Sequence, residues 1–152
     1  MPKISTILCP VDLSDPSLGA LEHAEDLARK LGAELVVAHI VEPAFYPVAY
    51  GAVPVAATVN IEEEARKAAE DRLQQLAAEI TGRGVPCSPL VDSGTAALRI
   101  CELVKENGID LVVIATHGYT GLKHVLLGSV AERVVRMAEC PVLSVKSHEL
   151  PD

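Results

Sequence analysis

Five short apolar runs alternate along the chain with four stretches of helical periodicity, and this alternation limits the possible folds more than any other feature. The runs are ISTILC at 4–9, ELVVAHIV at 34–41, PCSPLV at 86–91, DLVVI at 110–114 and PVLSVK at 141–146. The fourth is continuous in aliphatic residues, as a strand covered on both faces must be. Between the runs the helix signals are local. Ser14 or Asp15 serves as an N-cap with Pro16 in the first turn; Leu18, Leu21, Ala24, Leu27, Ala28 and Leu31 form one stripe, and Gly32 ends the helix. Asn60, with Glu63 three residues later, predicts the start of a second helix, whose stripe of Ala65, Ala68, Ala69, Leu73, Leu76 and Ile80 leads to Gly82 or Gly84. A third runs from Gly94-Thr95 to Asn107-Gly108, and Ser129 with Glu132 makes a capping box at the head of a fourth. Strands and helices in this alternation predict an α/β fold: a five-stranded parallel sheet of order 3-2-1-4-5 with helices on both faces.

Such a sheet has one preferred place for a ligand, the crevice beyond the carboxyl ends of strands one and four, where the chain reverses its direction of travel. That order brings Pro10, Val11 and Asp12 beside Ala115, Thr116, His117 and Gly118, with His39, Ile40 and Val41 forming the neighbouring wall. The stretch ATHGYTGLKHVLLGSV at 115–130 puts Gly118 and Gly121 in a loop and Gly128-Ser129-Val130 at a helix start. A helix start carries unpaired amide hydrogens and the positive end of the peptide dipole, and glycines let an anion approach the backbone. This is a phosphate site in outline. The same glycines equally suit a surface loop, and Ser129 a simple cap. Asp12 has two readings: a hydrogen bond to a ribose hydroxyl or help with a metal ion, and a turn residue bonding nearby amides. His117 either touches phosphate or orients the loop. His39, in an apolar strand, reads as a satisfied core histidine, and His23, His124 and His148 as surface residues.

The formal net charge of −8 argues against a basic nucleic-acid-binding face, so a bound phosphate would be held by local dipoles and a metal ion. No apolar run approaches the ~20 residues of a membrane span, and the residues after Met1 lack a signal-peptide core, so no membrane association and a cytoplasmic location are expected. Residues 1–147 are expected to form one domain and 148–152 a short tail. Cys9, Cys87, Cys101 and Cys140 are too far apart in sequence to show a metal-ligand pair and read as small buried apolar residues. Residues 42–59 break the pattern, with Pro43, Pro47 and Pro54 around Phe45, Tyr46 and Tyr50, a length that suits a lid or a partner-contacting loop. The G-x-S-x-G elbow, the H-E-x-x-H pair and the P-loop lysine pattern are all missing, so binding is better supported than catalysis and no catalytic residue is assigned.

On these residues the chain resembles the universal stress protein family over essentially its whole length. The family's nucleotide-binding members carry Gly-x2-Gly-x9-Gly-[Ser/Thr]; the matching positions here are Ala115, Gly118, Gly128 and Ser129, with alanine in the first place. The flanks LLGSVAERVV and CPVLSVK are also similar to the family. The resemblance implies ATP or AMP in the crevice, with Pro10, Val11 and Asp12 against adenine and ribose and the Ile40 backbone near the adenine. It implies Gly118, Gly128, Ser129 and Val130 around the phosphates, with Mg²⁺ or Mn²⁺ bound through them. It also implies a homodimer joined through the last strand; the run from Pro141 to Lys146, as an edge strand, has an unpaired backbone that could add to a copy of itself.

The leading expectation is an adenine-nucleotide-binding stress or regulatory module whose output is a change of conformation or of an unknown protein partner. The alternatives are slow ATP hydrolysis or adenylyl transfer on the same architecture, and a nucleotide-free interaction module. The enzymes of related architecture resemble SGGxDS after strand one, where this chain has Pro10-Val11-Asp12-Leu13-Ser14.

Overall fold

The computed structural model describes residues 2–43, 54–117 and 127–146. Strands and helices alternate as β1 (Thr6–Pro10), α1 (Asp15–Leu31), β2 (Glu34–Val41), α2 (Val55–Gly82), β3 (Cys87–Ser93), α3 (Ala96–Glu106), β4 (Leu111–Ala115), α4 (Ser129–Met137) and β5 (Val142–Val145). The strands form one sheet in the order β3-β2-β1-β4-β5, and every pairing is parallel. This is the expected doubly wound arrangement.

Successive side chains of a strand point to opposite faces, so each central strand feeds two apolar layers. Ile7 and Cys9 of β1 join Leu35, Val37, Leu111 and Val113 beneath α1 and α2. Leu8 joins Val112 and Ile114 beneath α3 and α4, where Ile100, Leu103, Val104 and Val134 close the second layer. The β4 run is buried at every position, which accounts for its unbroken aliphatic sequence.

Helix α1 forms as its sequence signals require. Ser14 is the N-cap and accepts from the Ser17 amide, Pro16 lies in the first turn, and Gly32 closes the helix in the left-handed region at φ 66°. Two positions differ from the expected stripe: Leu31 is exposed at the helix end, and Glu25 is buried. Glu25 tolerates burial because Arg83 approaches it with two nitrogens, at 2.8 and 2.7 Å, and Arg29 with a third at 2.7 Å. The Arg83 guanidinium holds the Glu25 carboxyl below its usual range.

Helix α2 starts at Val55, five residues before Asn60, with Pro54 as N-cap at φ −62° and ψ 142°. No glycine or proline interrupts the chain between Val55 and Thr81, so once nucleated the helix runs through Asn60 and Glu63, which sit exposed inside it. Ala65 and Ala68 are also exposed, and burial of the stripe begins only at Ala69. The irregular 42–59 stretch is correspondingly shorter; its residues 44–53, with Phe45, Tyr46 and Tyr50, lie outside the described residues.

The four cysteines are free; Cys9 and Cys101 are buried as expected, whereas Cys87 and Cys140 are half-buried. Burial raises the Cys9 thiol far above its ordinary value and pushes Cys87 up to about 11, so neither is poised as a thiolate. His23 is exposed as expected, and His124 and His148 lie outside the described residues.

Candidate functional site

The crevice opens because β1 loses its partners on both sides at the carboxyl end. Toward β4, pairing is recorded only for Ile7↔Leu111 and Leu8↔Val112, although β4 continues to Ala115. Pro10 carries no N–H with which to extend that ladder. Toward β2 the register stops at Pro10↔Ala38, one residue after which the Val11 amide donates to the Ala38 carbonyl at 2.8 Å. The space beyond has a cavity volume of about 160 Å³.

One wall is the turn from β1 into α1. Asp12 is exposed, and its Oδ1 accepts from the Ser14 amide at 3.0 Å and from the Ser14 hydroxyl. Ser14 in turn caps α1 through Ser17, so Asp12 and the helix start belong to one hydrogen-bonded turn. Leu13, between them, is a non-glycine residue in the left-handed region at φ 68°. Such a conformation persists only where the surrounding structure over-determines it. The turn-residue reading of Asp12 is therefore real for one of its oxygens.

The opposite wall is the junction of β4 with α4. Thr116 is 2% exposed and ties three elements together. Its amide donates to Val145 of β5 at 2.9 Å, its carbonyl accepts from the Gly128 amide at 2.5 Å, and its Oγ1 lies 2.9 Å from His117 Nδ1. A Cβ on Gly128 would stand 2.7 Å from the Thr116 carbonyl oxygen, too close for any side chain. Gly128 is thus required by the protein's own backbone contact, at an ordinary φ of −65°.

The expected capping box does not form. Gly128, not Ser129, is the N-cap of α4, no side chain caps the helix, and Glu132 pairs with Arg136 on the outer face. A glycine at the cap position and an i,i+4 partner for Glu132 outcompete the reciprocal bond. The amides of Ser129, Val130 and Ala131 begin the helix and have no acceptor within it. These three residues all line the crevice.

Of the residues expected at the site, Pro10, Val11, Asp12, Ile40, Ala115, Thr116, His117, Gly128, Ser129 and Val130 all line this one crevice. Gly118 lies outside the described residues, as do Gly121 and Lys123. Sequence reasoning missed Ser17, Ala96 and Ile100, which also line it. Ala96 and Ile100 sit on α3, and only the sheet order brings that helix over the crevice. His39 is half-buried and lines the crevice, with Nδ1 2.8 Å from the Val11 carbonyl, so it is satisfied but not a core residue. Among the described lining residues there is no Lys or Arg, and Asp12 is the one carboxylate. Among the described residues no three His, Cys, Asp or Glu side chains cluster as metal ligands, and no helix is long and apolar enough to cross a membrane.

A doubly wound α/β protein with its crevice at the point where strand order reverses is thereby defined. The universal stress protein family model matches residues 3–146, and the chain belongs to that family. Universal stress protein MJ0531 of Methanocaldococcus jannaschii is 34% identical over 140 residues, covering 92% of this chain and 81% of the relative. Universal stress protein UspA from Lactobacillus plantarum shares the fold at a TM-score of 0.83 and 23% identity, over 95% of this chain and 99% of that one. Two further solved structures share it: a universal stress protein in complex with cAMP, and a family protein from Arabidopsis thaliana with AMP bound. Their TM-scores are 0.64 and 0.65 and their identities 24% and 22%; they cover 95% and 97% of this chain, and 98% and 97% of their own.

Proposed function

We propose that this chain binds an adenine nucleotide, ATP or AMP, in the crevice and serves as a regulatory binding module of the stress response. The observation that carries the reading is the bare start of α4, whose first-turn amides meet a crevice lined also by Asp12 and Ile40. Phosphate is held there by backbone amides and the helix dipole, a mode that needs no lysine or arginine. The family motif assigns Gly118 to the phosphates as well. Asp12 accepts from the ribose, and the base lies at the apolar end formed by Ile40, Ala96 and Ile100. Family members solved with AMP and with cAMP support an adenine nucleotide as the ligand. Mg²⁺ or Mn²⁺ fits this donor set only as a phosphate-bound ion, with Asp12 the sole lining carboxylate among the described residues. Two copies pair through the outer edge of β5, where Leu143 is exposed.

Isothermal titration and thermal shift with ATP and AMP in the presence of Mg²⁺ test the assignment. Saturable heat at one site per chain and a raised Tm are expected. No heat and no shift at millimolar nucleotide would remove it.

A further inference from the structure

In a parallel ladder the N–H and C=O of every second residue face the same neighbouring strand. Strand β2 follows this rule. Glu34 donates to Ser5 and Ala38 accepts from Val11 on the β1 side, while Leu35 donates to Pro86 and Val41 accepts from Gly94 on the β3 side. Ile40, two residues beyond Ala38, therefore turns its N–H and C=O toward β1. In an uninterrupted ladder the Ile40 amide would donate to the Val11 carbonyl.

The β1–β2 register instead ends at Pro10↔Ala38. The Val11 carbonyl is met by the His39 ring, Nδ1 at 2.8 Å. A carbonyl only accepts, so Nδ1 carries a proton, as it does in both the Nδ1–H tautomer and the imidazolium. Val11 is not a frayed end: its amide is bonded to Ala38 and the residue is 5% exposed. A side chain has taken the place that the next backbone amide would fill, and His39 and Ile40 both line the crevice.

We propose that His39 is a positioning residue: its Nδ1–H captures the Val11 carbonyl, ends the β1–β2 ladder one bond early and leaves the Ile40 amide open to an acceptor on the ligand. The ligand side of this statement rests on the nucleotide reading above; the ladder side does not. An apolar residue at this position would release the Val11 carbonyl to Ile40 and close the edge of the crevice. Asparagine would keep it open, because its amide nitrogen donates from nearly the same place as Nδ1.

Amide hydrogen exchange followed by NMR, with ATP and Mg²⁺ absent and present, tests this on the full chain and on His39→Val and His39→Asn. In the free wild-type protein the Ile40 amide should exchange at least about tenfold faster than those of Val36 and Ala38, and ATP should slow it. His39→Val should slow Ile40 exchange in the free protein by about tenfold and weaken ATP binding by about tenfold. His39→Asn should keep both within about threefold of wild type. Wild-type protection of Ile40 equal to that of Val36 and Ala38, or unchanged exchange in His39→Val, would overturn the positioning role. Failure of wild type to bind ATP would overturn the nucleotide reading instead, and the exchange comparison in the free protein would still decide His39.

Discussion

The two ends of β1 are built on opposite plans. At its amino end the strand is tied shut: the Asp110 carboxylate accepts from the Ser5 and Thr6 amides at 2.8 and 3.0 Å, and the Asp110 and Glu34 amides donate back to Thr6 and Ser5. Glu25 and Arg83 staple α1 to the end of α2 where the chain turns into β3, the same side of the sheet. At its carboxyl end Pro10 has no donor, Val11 is claimed by His39, and the strands part. One rim uses charged side chains to finish the ladder, and the other uses a proline and a histidine to stop it. An opening in a parallel sheet is thus built by a few side chains and needs no change of topology.

Gly128→Val strikes the open rim hardest. Its Cβ would meet the Thr116 carbonyl, so the variant should lose about 3 kcal/mol of stability by urea unfolding. It should also lose ATP binding in calorimetry. At the closed rim, Glu25→Ala should cost about 2 kcal/mol and leave ATP affinity unchanged, since Glu25 is outside the crevice. The folded carboxyl titrates below its usual value, so its contribution is complete above the ordinary pKa of about 4.3 and disappears as pH falls through the lower folded value. Urea midpoints for wild type and variant should accordingly differ equally at pH 7 and 5 and converge in more acidic solution. Asp110→Ala should cost about 1.5 kcal/mol, because one of its two amide partners is exposed, again with unchanged ATP affinity. The smallest effects separate the two helix starts that face the crevice. Ser14→Ala removes a used cap and should cost about 1 kcal/mol, whereas Ser129→Ala removes none and should stay within about 0.3 kcal/mol without nucleotide.

The closed and open rims were not equally legible in the sequence. The order of elements and the sheet topology follow from the apolar runs, and α1 follows from Ser14, Pro16 and Gly32, because each of those signals acts within a few residues. The gathering of Pro10–Asp12, Ile40, Ala115–His117 and Gly128–Val130 in one crevice followed from topology alone. What escaped was decided by competition or by distance. Asn60 offered a cap, but an unbroken helix-forming stretch carried α2 past it. Ser129 and Glu132 matched a capping box, yet Gly128 against Thr116 and Glu132 with Arg136 used the same groups differently. The Glu25–Arg83 pair spans 58 residues, and the His39–Val11 bond 28, so no local pattern announces either.

The most direct test of the open rim is an amide NMR titration of the full chain with ATP and Mg²⁺. Nucleotide held at the start of α4 and along the β2 edge predicts saturable shifts for Ser129, Val130, Ile40 and Asp12, with Asp110, Glu34 and Arg83 unmoved. Shifts confined to the closed rim, with Ser129, Val130, Ile40 and Asp12 unmoved, would contradict it.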